Sequence, residues 1–313
     1  MKEPQKLDKS NVEDILALTP MQAGMLLQYL KDPDTTQYVE LIELGIDGEI
    51  DKTLFEQSWA CVVQANEALR VLFRWEEVNR PVQIVLKQHR PIIRYENYSN
   101  LDGETRAGQI AARIAADKKE KFKLDQVPFR LTLCKQTERK HTLLMSFHHI
   151  LFDGWSTGIL LKEWLTSYRM LAEGLQPKLP QKPRFKQFVS LLQQQDKKKQ
   201  ESYWSRYLHE VQNKPVPVSR GGSSPEKAVM AVHTEKRSGT FTADLHRFVR
   251  SEQVTQAALF YTAWGILLQH YTNSDDVLFG TTVSGRNTSI SGMERESLHS
   301  SKRGTCRHFL DGH

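Results

Sequence analysis

Cysteine is scarce in this sequence, and its few copies are scattered. The 313 residues include 3 cysteines, Cys61, Cys134 and Cys306, without any regular spacing. An odd, dispersed set excludes the disulfide framework of a small secreted domain and is typical of a reducing compartment. No apolar run approaches the length of a membrane-spanning helix, and the lysine-rich N-terminus lacks the apolar core of a signal peptide. The sequence therefore predicts a cytoplasmic protein without a membrane partner.

The signatures of many bound cofactors and ligands are also missing. The chain contains no CxxC or HExxH pair, no GxGxxG and no P-loop, so neither a metal site nor a nucleotide cradle is predicted. Its net charge of +6 is mild and diffuse. Lys197-Lys198-Lys199 fits a solvated helix face, and no basic cluster is interleaved with aromatic residues as nucleic-acid binding requires. The remaining basic surface still permits an acidic protein partner.

The chain does contain enough apolar residues for about two compact units, at 39% hydrophobic and 26% charged residues. Its central stretch runs from Lys140 to Gly174. Residues 142–147 have the length and apolarity of a buried strand, and apolar residues then recur at helical spacing as far as Gly174. The turn between strand and helix carries two histidines, an aspartate and a glycine, at positions His148, His149, Asp153 and Gly154. Catalytic side chains are commonly displayed on such turns.

The chemistry of this turn leaves alternatives open. Adjacent residues on an extended backbone point to opposite sides, so His148 and His149 are expected to differ in role. An imidazole facing a cleft can accept a proton from an amine or hydroxyl nucleophile. Asp153 can either orient that imidazole or pair with an arginine, and the amide of Gly154 at the start of a helix can face a developing oxyanion. Two histidines hydrogen-bonded in a core, or a zinc site, are the competing interpretations.

The segment from His148 to Gly154 resembles the HHxxxDG signature of condensation domains in nonribosomal peptide synthetases. Residues 18–27 are similar to the first motif of the family, with Thr19 as helix N-cap and Pro20 as the first helical residue. Residues 277–286 resemble an FG-x-x-x-SGR segment that ends at Arg286.

Two further motifs of the family match in part. Leu69, Arg70 and Phe73 match the second motif, in which Ala65 and Asn66 replace an Arg-His pair. Phe185 and Phe188 match the fourth motif, in which Gln187 replaces an aspartate, and a long helix is predicted from Arg184 to Leu208.

The resemblance implies an α+β fold, the chloramphenicol-acetyltransferase-like sandwich of two lobes, with an incomplete second lobe. The implied boundaries are a polar lead-in at 1–14, an N-terminal lobe with the histidine motif at 15–180, a partial C-terminal lobe at 181–293 and an aberrant, disordered tail at 294–313. The tail is polar and has no strand period, and a frameshift or a truncated gene product is the hypothesis for it.

The resemblance also implies roles for particular residues. His149 deprotonates or positions an acceptor amine, with Asp153, Gly154 and His148 as the other catalytic members of the motif. Arg286 pairs with Asp153, while Arg70 and Trp155 give structural support, and no metal is required.

The implied activity is amide-bond formation between donor and acceptor thioesters. Both substrates are carried on phosphopantetheine arms of upstream and downstream peptidyl carrier domains, next to an adenylation domain, and no cofactor is bound directly. Three alternatives stay open: a non-catalytic remnant that binds a carrier domain, an acyltransferase of the same fold that uses a coenzyme A thioester, and an epimerisation domain. Whether this chain itself is an enzyme is left undecided by the sequence.

Overall fold

The computed structural model describes residues 7–32, 35–209, 233–286, 289–293 and 302–309. The α-helices are α1 (Pro20–Lys31), α2 (Lys52–Ala65), α3 (Gly103–Lys119), α4 (Gly154–Ala172), α5 (Phe185–Gln193), α6 (Lys197–Leu208), α7 (Gly239–Ser251) and α8 (Gln256–Thr272). The strands are β1 (Val12–Ala17), β2 (Val39–Asp47), β3 (Val71–Arg74), β4 (Val82–Leu86), β5 (Ile92–Asn97), β6 (Phe129–Lys135), β7 (Lys140–His148), β8 (Asp276–Val283) and β9 (Lys302–Phe309). The predicted α+β class is confirmed.

The described residues form two compact units, and the first contains residues 1–195 and 284–302. It contains a three-stranded antiparallel sheet in the order β1-β4-β3 and a four-stranded sheet in the order β2-β7-β6-β5. β5 and β6 run parallel because α3 connects them as a crossover, whereas the other pairs in this sheet are antiparallel. β7 lies in the interior of the larger sheet, between β2 and β6. Pairing with both neighbours fixes the position of its C-terminal end, where the histidines begin.

β7 is the buried strand that the apolar run at 142–147 predicts. Every residue after Lys140 in this strand is buried. Aromatic side chains of α2, β6 and the loop after β7 complete the core around it, and Phe55, Trp59, Phe129 and Phe152 have no exposed surface. Burial of side chains of this size stabilises the unit by roughly 1.5–3 kcal/mol each. The loop that follows the last residue of β7 therefore starts from a rigid, close-packed core.

α1 begins as its sequence predicts. Thr19 is the N-cap, its hydroxyl accepts from the amide of Gln22 at 3.3 Å, and Pro20 is the first helical residue. The side chain of Gln22 returns the bond to the amide of Thr19 at 2.9 Å, which completes a capping box.

The region after α4 differs from the prediction in two ways. The single long helix expected between Arg184 and Leu208 is wrong, because it is divided at residues 194–196, where Asp196 caps α6. The lobe boundary expected at 180 also differs from the contact pattern. Phe185, Phe188 and Val189 of α5 are buried in the core of the first unit, so this unit extends to residue 195. The segment 173–184, called the linker below, connects α4 to α5. An amphipathic helix packs where its apolar face is buried, so the composition of this linker does not set the boundary of the unit.

The second unit comprises residues 196–283 and 303–313, of which the structure describes 196–209, 233–283 and 303–309. α6 has no buried residue, and α7 has only Val249. An apolar depression of about 480 Å³ lies along α8 and β8, lined by Phe260, Tyr261, Ala263, Trp264, Leu267, Phe279 and Gly280.

The C-terminal segment departs from the expected tail at residues 302–309. These residues form β9, which pairs with β8 in a two-stranded sheet. A strand edge presents unpaired amides and carbonyls to any extended segment, so pairing does not require an alternating pattern. The expectation of a tail without a strand is therefore wrong for this part, while residues 294–301 and 310–313 lie outside the described residues.

Candidate active site

The loop between β7 and α4 is held by backbone hydrogen bonds on both sides of its histidine pair. The amide of His148 donates to the carbonyl of Pro128 at 3.0 Å, and the amide of His149 donates to the carbonyl of Tyr38 at 2.7 Å. The amide of Leu151 then donates back to the carbonyl of His148 at 3.1 Å, which closes the turn. The loop is thus fixed to two neighbouring segments before any side chain is considered.

His148 faces the interior, at 2% exposure. Its ring packs against Tyr29 and Tyr38, with centroids 6.4 and 6.0 Å away. The amide of Ile150 donates to Nδ1 at 3.1 Å, so Nδ1 is the acceptor and Nε2 carries the proton of the neutral ring. Burial, with a smaller contribution from the charge of His149, lowers the pKa of His148 to about 3. This ring is therefore neutral at physiological pH.

His149 is only partly buried, and its ring is oriented by the loop itself. Nδ1 lies 2.8 Å from the carbonyl oxygen of Phe152. A carbonyl can only accept, so Nδ1 must carry the proton, and Nε2 is the basic nitrogen of the neutral ring. The two histidines therefore have opposite tautomers, and their surroundings differ: the ring of His148 is buried and that of His149 is partly buried.

The carboxylate of Asp153 is bound by an arginine and a serine. Its Oδ1 accepts from Nη2 of Arg286 at 2.6 Å, and from the amide and hydroxyl of Ser156 at 3.2 and 3.0 Å. Asp153 is the N-cap of α4, and the same guanidinium nitrogen donates to the hydroxyl of Ser156 at 3.0 Å. Burial raises the pKa of Asp153, but the charge of Arg286 and these hydrogen bonds outweigh it, and the pKa lies below its ordinary value. The predicted pairing of Asp153 with Arg286 is present.

Gly154 and Trp155 are the first two residues of α4, and both are exposed. A Cβ on Gly154 would meet no atom within 4 Å, so the space in front of this residue is open. The N-terminus of a helix carries partial positive charge, which favours an anion or oxyanion there. Trp155 is 66% exposed and lies at the surface beside the loop. Its supporting role stays a prediction.

The hydrogen bonds of Arg70 join elements away from the histidine loop, and its predicted support of the site stays a prediction. It is 4% exposed and lies at the end of the short 3-10 helix Glu67–Arg70. Its guanidinium donates to the carbonyls of Val63 and Leu86 and forms an ion pair of 2.7 Å with Glu13. These bonds join the end of α2 to β1 and β4. Arg70 therefore supports the scaffold of the first unit.

The structure adds two residues that sequence reasoning missed. Gln22 of α1 donates from Nε2 to the carbonyl of Ile150 at 3.3 Å. Tyr38 provides the carbonyl that holds His149, and it has a left-handed backbone with φ of 67°. A left-handed conformation in a tyrosine is unusual and indicates that its surroundings fix it. The T-x-x-Q pattern at Thr19 was the only signal for Gln22, and it predicts a cap but not a contact 128 residues away.

The described residues also bear on two other classes of site, a metal centre and a membrane span. In that part of the chain, no group of three or more histidine, cysteine, aspartate or glutamate side chains is placed to hold a metal ion. Across the same residues, no helix is long and apolar enough to cross a bilayer.

Comparison with known proteins identifies the family. The sequence model of the condensation domain matches residues 12–296, and the chain belongs to the condensation domain family. Solved relatives agree in fold: the first condensation domain of the calcium-dependent antibiotic synthetase, in complex with substrate analogue 3a, superposes with a TM-score of 0.78 at 20% identity, over 96% of this chain and 71% of that one. A four-domain nonribosomal peptide synthetase, holo-AB3403 bound to AMP and glycine, gives a TM-score of 0.78 at 16% identity, over 99% of this chain and 23% of that one. The chloramphenicol-acetyltransferase-like α+β fold that the motifs predict is thus confirmed.

Curated relatives are much longer proteins. Surfactin synthase subunit 2 of Bacillus subtilis (strain 168) is 32% identical over 290 residues, which are 92% of this chain and 8% of that protein. Tyrocidine synthase 2 of Brevibacillus parabrevis is 32% identical over 293 residues, 92% of this chain and 8% of that protein. The chain therefore spans less than a tenth of the length of these two relatives.

Proposed function

We propose that this chain forms an amide bond between two carrier-bound substrates. The donor is an aminoacyl or peptidyl thioester and the acceptor an aminoacyl thioester, each held on the phosphopantetheine arm of a separate carrier domain, with an adenylation domain adjacent. The peptide synthases among its relatives and the four-domain synthetase among its structural neighbours support this assignment. The proposal needs no metal and no cofactor bound to the chain itself.

The acceptor amine attacks the carbonyl carbon of the donor thioester in this proposal. A C–N bond forms, the C–S bond breaks, the amine loses a proton and the departing thiolate gains one. His149 positions the amine and accepts its proton at Nε2, while the amide of Gly154 faces the oxyanion of the tetrahedral intermediate. Because an amine is already a fair nucleophile, positioning contributes more than proton transfer. His148 packs behind the loop, and the Asp153–Arg286 pair holds it.

One observation carries the proposal. The 2.8 Å contact between Nδ1 of His149 and the carbonyl of Phe152 selects the tautomer whose basic nitrogen is Nε2. A base in the correct tautomer needs a fixed partner on its other nitrogen, and here a backbone carbonyl has that role. The carboxylate of Asp153, the other candidate for that role in the motif, is bound by Arg286 and Ser156.

The test is a condensation assay with the purified chain, an aminoacyl donor carrier and an aminoacyl acceptor carrier, with dipeptidyl product measured by mass spectrometry. We expect product with the wild-type chain and a loss of about 100- to 10,000-fold in rate for His149→Gln. His246→Gln is the matched control, because His246 is an exposed histidine on α7. This control should retain the full rate.

Other results would identify one of the alternatives. Turnover of a free coenzyme A thioester, with none of a carrier-bound one, would assign the chain as an acyltransferase of another kind. Racemisation of one carrier-bound substrate without a donor would assign epimerisation. A folded chain that binds a carrier domain but makes no product would be a non-catalytic binding module.

A further inference from the structure

The side-chain amides of two buried glutamines donate hydrogen bonds to each other beside the histidine loop. Gln22 of α1 and Gln83 of β4 are each 1% exposed. Nε2 of Gln22 donates to Oε1 of Gln83 at 3.1 Å, and Nε2 of Gln83 donates to Oε1 of Gln22 at 3.0 Å. Buried amides are costly unless they are fully hydrogen-bonded, so the remaining bonds of this pair are informative.

The outer bonds of the pair connect three segments. Gln22 donates its second N–H to the carbonyl of Ile150 at 3.3 Å, and Gln83 donates its second N–H to the carbonyl of Ala17 at 2.9 Å. Oε1 of Gln22 also accepts from the amide of Thr19 at 2.9 Å. All four amide N–H groups therefore have acceptors, which leaves one consistent orientation for both side chains. The pair joins the end of β1, the start of α1 and β4 to the loop.

Ile150 is the residue that follows His149, and both of its peptide groups are held by side chains. Its amide donates to Nδ1 of His148 at 3.1 Å, and its carbonyl accepts from Gln22. The amide of His149 itself is held by Tyr38. The loop then runs to Phe152, whose carbonyl orients the His149 ring. Loss of the Gln22 bond would remove the donor to the Ile150 carbonyl, while the amide of Leu151 in the same peptide group keeps its bond to the carbonyl of His148.

We propose that Gln22 and Gln83 are positioning residues for His149. The amide pair sets the position of the Ile150 carbonyl, and through it the distance between the His149 ring and the carbonyl of Phe152. Both glutamines act on His149 through the backbone of the loop, so they are positioning residues and not catalytic ones. The inference rests on the proposed function only for its effect on rate, because the orientation of the His149 ring is a property of the chain alone.

The experiment replaces the pair as a whole. The double variant Gln22→Met/Gln83→Met removes both amides together and keeps similar volumes, which limits the penalty of an orphaned buried amide. The control is Gln136→Met/Thr142→Val, because Nε2 of Gln136 donates to the Thr142 hydroxyl at 2.7 Å in a comparable pair near the other end of β7. Three measurements follow: kcat and KM for condensation, the thermal midpoint, and NMR spectra of the chain labelled with ¹⁵N-histidine, which report the tautomer of His149.

We expect the Gln22→Met/Gln83→Met variant to lose about 100-fold in kcat with KM little changed, because a small misplacement of a positioning group has this effect. Its His149 signals should shift toward a mixture of tautomers, while the control retains both the wild-type kcat and the wild-type signals. Unchanged His149 signals and kcat in a folded double variant would overturn the inference. So would equal losses in the control.

The two proposals fail in distinguishable ways. If the wild-type chain makes no product but the His149 tautomer changes in the double variant, the proposed function is wrong and the positioning role holds. If the wild-type chain is active and the double variant matches it, only the positioning role is wrong. Should the double variant not fold, Gln22→Asn provides the same NMR comparison. Its side chain is one methylene shorter, so its N–H no longer reaches the carbonyl of Ile150.

Discussion

At the scale of single residues, two adjacent histidines have been given different chemistry by their surroundings. His148 is enclosed by Tyr29 and Tyr38 and accepts a backbone amide at Nδ1. His149 is partly exposed and donates from Nδ1 to a backbone carbonyl. Both side chains are imidazoles, so the difference arises from burial and from the backbone group that each ring meets.

His148 should make the folded state sensitive to acid. Its pKa is about 3 in the folded chain and 6.5 when the ring is unperturbed, so below pH 6.5 the unfolded chain binds a proton that the folded chain does not. Stability from this group is therefore complete above pH 6.5 and is lost as the pH falls toward 3, at about 1.4 kcal/mol per pH unit.

His148→Asn tests this, because the asparagine Oδ1 can still accept from the amide of Ile150. We expect the free energy of unfolding in urea to fall by about 2–3 kcal/mol more in the wild type than in the variant between pH 7 and pH 4.5. His246→Asn, on the surface of α7, should behave as the wild type. Equal pH dependence in wild type and His148→Asn would contradict the assignment.

At the scale of elements, α4 is held at two points along its length. Its N-terminus is fixed by Asp153 and Arg286, and its middle by Glu163. The carboxylate of Glu163 pairs with Lys182 of the linker at 2.7 Å and accepts from Asn66 at 2.8 Å. Lys182 also donates to the side-chain oxygen of Asn66. Asn66, one of the departures from the second motif of the family, is thus the residue that joins α2, α4 and the linker.

The buried ion pair predicts that removing one charge destabilises the chain more than removing both charges. The side chains of Lys182 and Glu163 are 5% and 8% exposed, so Lys182→Met leaves a buried carboxylate without its cation. We expect this variant to lose about 3–5 kcal/mol in the free energy of unfolding. The double variant Lys182→Met/Glu163→Gln should recover much of that loss, since the uncompensated charge is gone.

Denaturation in urea at pH 7 measures these changes. Glu138→Gln is the matched control for an exposed pair: Lys135 and Glu138 are 2.7 Å apart, but their side chains are 32% and 78% exposed. That substitution should cost at most about 1 kcal/mol. A loss for Lys182→Met as small as that of the control would show that the linker pair does not stabilise the first unit.

At the scale of the whole molecule, the buried core is unevenly distributed between the two units. In the first unit, both sheets and four helices contribute large side chains with almost no exposed surface, among them Phe55, Trp59 and Phe73. In the second, several aromatic residues on α8 are exposed, with Phe260 at 59%, Trp264 at 45% and Tyr271 at 66%. Exposed apolar groups of this size mark a surface that is suited to an apolar contact.

Hydrogen exchange should reveal this distribution. Amides in β6 and β7 open only with the unfolding of a well-packed unit, whereas helices with few buried side chains open locally at a lower free energy. We expect α7 and α8 to exchange at least about 100-fold faster than β6 and β7 in native buffer, measured by mass spectrometry of peptides from each element. Equal protection in the two sets of peptides would mean that the chain unfolds as one cooperative whole.

Much of the site was predictable because its signals are local. Apolar residues at 142–147 indicated the strand, the helical spacing after Asp153 indicated α4, and Thr19 with Pro20 indicated the start of α1. Strand periods, caps and helical periods act over a few residues, so the sequence alone determined them. The pairing of Asp153 with Arg286, 133 residues apart, was predicted only through the resemblance to a family.

The tertiary structure decided the rest, since hydrogen bonds between distant segments depend on how the elements pack. The contact of His149 Nδ1 with the carbonyl of Phe152, the Gln22–Ile150 contact and the burial of Lys182 beside Glu163 have no signature in the residues that make them. The break between α5 and α6 and the pairing of β9 with β8 likewise follow from burial of α5 and from an open strand edge. Sequence determined which side chains stand on the loop, and packing determined which atom of each is available for chemistry.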